Sequence, residues 1–318
     1  MTRILIYHSG ALGDFITTFP ALRRVRAGYD PCRIVFLGHP QRAALAREEG
    51  LVDECLDMDG VAQAPLYRQP PSAAAEQILK PFDCLIAWCS PGSPLPIHAR
   101  TAGVPLVLTQ TPFPEQPRRA TEYHLEPVSS VIPCVAPRPE HRKRHDREFD
   151  AGLSWRRGMI AIHPGSGSSL KNWPLSRFRA FAARAERAGH EICWILGPAE
   201  QRTSAPLPGR KWENMPLPEL RHALSGCTLC VGNDSGISHL SAYANCPTVA
   251  VFGPSDTRVW APAGAHVRVV SLHLPCSPCH LRENRQRDCG RKCLEEIDVE
   301  MVWKAAAELL DRSMSDPA

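Results

Sequence analysis

No stretch of this 318-residue chain approaches the roughly 20 consecutive apolar residues that cross a bilayer, so no membrane-spanning helix is predicted. No secretory leader is expected either, because the first apolar run, Ile4 to Tyr7, is broken at once by His8, Gly10, Gly13 and Asp14. A cytoplasmic protein is expected. Charge of one sign is scarce: the formal net charge is +4, which gives no support to a nucleic-acid binder. No short internal repeat is visible, which excludes a solenoid. The G-x-x-x-x-G-K-[ST] spacing of a P-loop is absent as well.

What is present is an ordinary globular composition, 43% hydrophobic and 22% charged. The length fits two domains of roughly 150 residues. Most of the 13 cysteines stand singly in apolar runs, as in D-C-L-I-A-W and E-I-C-W-I-L, and read as reduced core residues. Strands near 3–8, 33–37, 53–57, 83–88 and 105–108 alternate with helices at 14–27, 40–50, 72–80 and 95–103. The second half repeats the pattern, with strands near 159–163, 191–196, 228–232, 247–252 and 267–271 and helices near 175–189, 217–225 and 235–244. Such alternation predicts parallel sheets covered on both faces. Proline- and glutamine-rich stretches at 60–71 and 109–118 read as loops. Around Pro133 to Trp155 the periodicity gives way to Pro, His and Arg, which sets domains at 1–140 and 158–298 about a linker at 141–157. A last helix, within 299–318, carries Met301, Val302, Ala305, Leu309 and Leu310 on one face.

Three strand ends carry chemistry. The run M-I-A-I-H stops at Pro164 and opens into G-S-G-S-S-L-K, ahead of a helix that Pro174 starts. Gly165 and Gly167 allow close backbone approach, Ser166 offers a hydroxyl, and Lys171 adds positive charge, a combination suited to phosphate. The alternative is an ordinary turn with a surface lysine. The first strand runs into H-S-G-A-L-G-D, placing Asp14 at a strand-to-helix turn, where it is either a functional acid or a helix cap. The strand L-C-V-G runs into N-D-S-G-I-S-H, so the amides of Ser235, Gly236 and Ile237 open a helix beside Asp234 and His239. Asn233 at this strand end is tolerable but uninformative.

These segments resemble the lipopolysaccharide heptosyltransferases, glycosyltransferase family 9. The motifs run in family order: S-G-A-L-G-D, H-P-G-S-G-S-S-L-K-N-W-P, L-G-P-A-E, G-N-D-S-G-I-S-H-L-S-A and V-F-G-P-S-D. The resemblance implies the GT-B architecture, two Rossmann-like domains with parallel sheets facing across a cleft, the first for the acceptor and the second for a nucleotide sugar. It implies inverting transfer of heptose from an ADP-heptose donor to a lipopolysaccharide core acceptor. Asp14 falls on the family's catalytic base, Lys171 and Ser166 on its phosphate contacts, and Glu200 on its ribose ligand. Asp234 would hold sugar hydroxyls, and His239 would either donate to phosphate or simply pack. The terminal helix is expected to return to the first domain, as in other GT-B proteins. Lysine in place of a divalent ion would let the chemistry proceed with no cofactor. Two other readings stay open: a hydrolysing epimerase on the same fold, and a non-catalytic nucleotide- or glycan-binding module.

Arginines cluster at Arg23, Arg24 and Arg26, at Arg118 and Arg119, and from Arg138 to Arg147. They form a solvated face and linker, or a surface for an anionic glycolipid at the inner face of the membrane. Finally, Cys276, Cys279, Cys289 and Cys293 give C-x2-C-x9-C-x3-C, the ligand count of a tetrahedral thiolate site for structural zinc first and an iron–sulfur cluster second, or else a set of free or disulfide-paired thiols. Arg282, Arg285, Arg287, Arg291 and Lys292 would offset thiolate charge.

Overall fold

The structure, a computed structural model, describes residues 1–132, 158–198, 200, 207–279 and 289–315. The expected linker, the arginines from Arg138 to Arg147, and Arg282, Arg285 and Arg287 lie outside the described residues. Contacts divide the chain into two units, Met1–Glu148 and Phe149–Ala318.

The first unit is a five-stranded parallel sheet in the order β3-β2-β1-β4-β5, with β1 Thr2–His8, β2 Cys32–Gly38, β3 Glu54–Asp57, β4 Cys84–Trp88 and β5 Leu106–Gln110. Its central strands are buried on both faces, so they read as unbroken apolar runs. Leu5, Val35, Leu37 and Leu85 pack on one side with Leu66, Leu79 and Leu95. On the opposite face Phe15 stacks on Phe36 and meets Phe19 edge-on. The predicted helix 14–27 is two helices, α1 (Leu12–Thr17) and α2 (Phe19–Gly28). Pro20 has no N–H to return to the preceding turn, so the helix breaks at Thr18. α3 (Pro40–Glu48), α4 (Ala73–Leu79) and α5 (Pro94–Thr101) fall where expected. The 60–71 stretch instead contains a 3₁₀ helix, Val61–Tyr67, and a further helix, α6 (Ala120–Ser129), follows the 109–118 loop.

The second unit has six parallel strands in the order β11-β10-β9-β6-β7-β8. They are β6 Met159–His163, β7 Glu191–Leu196, β8 Arg210–Glu213, β9 Leu229–Asn233, β10 Thr248–Val251 and β11 Val267–Val270. α7 (Leu175–Arg187), α8 (Leu217–Ser225), α9 (Gly236–Tyr243), α10 (Thr257–Trp260) and α11 (Lys292–Glu295) connect them or follow. The final helix, α12 (Val299–Ser315), packs on β9, β10, β11 and α7 of its own unit. Val302, Ala306 and Leu309 enter the core with Phe178, Phe181 and Trp194, whereas Met301, expected on that face, is exposed. In both units the strand order reverses next to the first strand, between β1 and β4 and between β6 and β9, and ligands bind at such switch points.

Burial sets a direct check on the helix face. Leu309→Ala should lower the unfolding free energy by about 2–4 kcal/mol in urea denaturation, while Met301→Ala changes it by less than about 0.5 kcal/mol. Equal losses would place the wrong face in the core.

Candidate active site

At the switch point of the first unit, Asp14 is the third residue of α1, and its Oδ2 accepts the Ala11 N–H at 3.1 Å. It therefore reaches back to the cap residue while remaining partly exposed. Behind it the wall is buried and uncharged. His8 is enclosed by Phe15, Trp88 and His124, with both ring nitrogens unpaired among the described residues, and burial lowers its pKa to about 3. The Thr17 hydroxyl lies 2.6 Å from the Asp14 carbonyl oxygen and 2.8 Å from His124 Nδ1. His124 Nε2–H donates to the Pro112 carbonyl at 3.0 Å, and burial lowers the pKa of this ring too. Neither histidine is poised to take a proton at neutral pH, which leaves Asp14 as the accessible acid at this strand end. The half-buried Arg42 guanidinium lies within electrostatic reach of Asp14, which offsets part of its burial cost.

At the switch point of the second unit, the Gly/Ser loop after β6 meets the start of α9. Lys171 Nζ pairs with Asp234 Oδ2 at 2.7 Å, the lysine one-third exposed and the aspartate nearly buried. An ammonium has three donors, so this pair leaves Lys171 able to bind an anion as well. Asn233 joins the two strand ends. Its Oδ1 accepts Trp173 N–H at 2.8 Å, and its Nδ2 donates to the carbonyls of Pro164 at 2.8 Å and Gly165 at 3.1 Å. Ser235 caps α9 by accepting Ser238 N–H, and Ser238 donates to the Asn233 carbonyl at 2.6 Å. The amides of Gly236 and Ile237 belong to the first turn and have no intrahelical acceptor, which makes them anion donors. His239 is buried, with its pKa lowered by desolvation, raised by Asp234, and its ring bonded to the Trp260 backbone.

Glu200 closes over the loop. Its Oε2 accepts Gly197 N–H at 2.8 Å, and its carboxylate occupies the space that a Cβ on Gly165 would need. Gly165 is thus a packing requirement, whereas a Cβ on Gly167 would meet nothing within 4 Å. The Ser166 hydroxyl faces Ser168 O and Asn172 Oδ1, each at 2.6 Å, and so shapes the loop. Of the predicted residues, the second unit brings together Gly165, Ser166, Lys171, Glu200, Asp234, Ser235, Gly236, Ile237 and His239. Asp14 stands on the first. Asn233, read from the sequence as uninformative, takes its bonds to partners distant in sequence. Arg42 and His124 had no local signal.

The arginine clusters are partly tied down: Arg24 donates to Ile132 O, Arg26 pairs with Asp53, and Arg118 pairs with Glu126. The four C-terminal cysteines are free thiols that lie near one another, and Cys293 has its pKa raised by burial and then by Cys289, Cys276 and Cys279. Among the described residues no group of three or more His, Cys, Asp or Glu is arranged to hold a metal ion. No described helix is long and apolar enough to cross a membrane.

The profile of glycosyltransferase family 9 (heptosyltransferase) matches residues 118–289. The chain is 29% identical over 183 residues to lipooligosaccharide heptosyltransferase 2 of Campylobacter jejuni, a stretch that covers 52% of this chain and 56% of that protein. The chain thus spans about half the length of the curated relative it matches. Its fold is shared with a glycosyl transferase of family 9 from Veillonella parvula, at a TM-score of 0.76, 20% identity and coverage of 98% of each chain. It is shared equally with the ADP-heptose heptosyltransferase II of Escherichia coli, at 0.74 and 17%, covering 99% of this chain and 100% of that one. The expected GT-B fold class holds.

Asn233→Ala would leave a buried N–H and two carbonyls without partners, at about 1–3 kcal/mol for each unsatisfied group before relaxation. Urea denaturation should show a net loss of about 2–4 kcal/mol. A loss under about 0.5 kcal/mol would mean that the loop does not depend on this side chain.

Proposed function

The chain belongs to glycosyltransferase family 9, and from that premise we propose that it transfers a heptose from ADP-heptose to a lipopolysaccharide core acceptor with inversion at the anomeric carbon. The observation that carries this reading is the meeting of Lys171, Asp234 and the open first turn of α9 at the switch point of the second sheet. There the Lys171 ammonium and the Gly236 and Ile237 amides receive the diphosphate, Glu200 the ribose diol and Asp234 the sugar hydroxyls. The first unit takes the acceptor. Asp14 removes the proton of the acceptor hydroxyl as its oxygen bonds the anomeric carbon, and the bond from that carbon to the diphosphate oxygen breaks. ADP departs against Lys171 and the helix amides, which neutralise the leaving charge without calling on a cofactor. The acceptor is an anionic glycolipid, so the enzyme would work in the cytoplasm against the inner face of the membrane.

Asp14→Asn keeps size and hydrogen bonding but removes basicity. Turnover, followed as ADP release from ADP-heptose with acceptor, should fall about 10²–10⁴-fold while ADP binding by calorimetry stays at the wild-type level. Wild-type turnover in this variant would reject Asp14 as the base.

A further inference from the structure

The Gly/Ser loop is held from a second side, by the segment that carries Cys289 and Cys293. Arg291 lies between those cysteines, just ahead of α11, with φ 50° and ψ 39°. A non-glycine residue in the left-handed region is uncommon and persists where its surroundings fix it. Its Nη1 donates to the carbonyls of Ser169 at 3.2 Å and Asn172 at 3.4 Å, and its Nη2 pairs with Glu295 at 2.7 Å. The two accepting carbonyls bracket Lys171. The loop exit is tied to the same segment, since Trp173 Nε1–H donates to Ile297 O at 2.9 Å and Arg177 donates to the carbonyls of Ile297 and Glu295. The segment is itself anchored on the turn after β10. Leu294 fills the space beside Gly253, on the turn to which the separate stretch before it is also bonded, Ser277 donating to Gly253 O at 2.8 Å and Cys279 N–H to Pro254 O at 2.7 Å.

We propose that Arg291 is a positioning residue of the donor site, fixing the Ser169–Lys171 turn and with it the direction in which Lys171 reaches the diphosphate. Arg291, expected from the sequence to offset thiolate charge, makes these contacts as well. Lysine cannot substitute fully, because a planar guanidinium reaches two carbonyls and a carboxylate together, whereas an ammonium is a single point. The inference rests on the reading of Lys171 as the diphosphate ligand.

Calorimetric titration of ADP into the full chain tests it, using wild type, Arg291→Ala, Arg291→Lys, Lys171→Ala and the Arg291→Ala/Lys171→Ala double variant, with thermal melts alongside. Arg291→Ala should weaken ADP about five- to tenfold, the size of a lost charge-assisted hydrogen-bond set, and Arg291→Lys should recover part of it. In the Lys171→Ala background the same change should cost under about twofold, because its effect passes through Lys171. If Arg291→Ala does not fold, Arg291→Lys and Glu295→Gln, which removes the guanidinium's ion partner, carry the same comparison. Wild-type ADP affinity in folded variants, or losses that multiply independently of Lys171, would overturn the positioning role. If Lys171→Ala weakens ADP and Arg291→Ala does not, only this inference fails. Wild-type protein that does not bind ADP sinks both it and the reading beneath it.

Discussion

Three backbone groups of the Gly/Ser loop, one N–H and two carbonyls, end on the single buried amide of Asn233. The donor edge depends on that arrangement. β6 and β9 are neighbours in the sheet, and the loop over residues 165–171 has one apolar side chain, Leu170, which is exposed, so polar bonds rather than apolar packing hold it. The amide supplies both an acceptor and donors in a place closed to water, where each bond is strengthened and each vacancy costly. With the loop fixed, Lys171 falls within 2.7 Å of Asp234, and the first turn of α9 opens beside it. The positive charge is thus held in place in advance, which for the proposed diphosphate is the condition for stabilising a leaving group without reorganisation.

The two units divide the chemical demands. The first surrounds its acid with neutral, buried rings, so that the two histidines stay unprotonated and, on the proposed reading, one partly exposed carboxylate handles the proton. The second concentrates donors: an ammonium, helix amides, and a guanidinium that holds the loop from behind. The same parallel sheet order, with its reversal beside the first strand, creates the two edges on which these different sets of groups stand.

The fold was legible because strands buried on both faces leave continuous apolar runs, as in Ile4 to Tyr7 and Met159 to Ile162. What escaped reading did so for physical reasons. Arg210–Glu213 is an edge strand with only Trp212 buried, so it reads as charged loop. Val61–Tyr67 and Ala120–Ser129 contain Pro65 and Pro127, which signal breaks. Asp14 and Asp234 drew notice from the sequence because they lie beside glycines at strand-to-helix turns, and Lys171 because it closes the Gly/Ser loop. Asn233, Arg291 and Thr17 were not, since their partners lie 60, 122 and 107 residues away in sequence and only folding brings them together.

The placement of the diphosphate at the pinned loop is the claim on which the rest turns, and an ADP titration followed by backbone amide resonances of isotopically labelled protein addresses it directly. The largest shifts should fall on residues 165–171 and 234–237, with those at Gly236 and Ile237 moving as amides that gain an anionic acceptor. Shifts confined to residues 1–132, with the 165–171 loop unmoved at saturation, would contradict it.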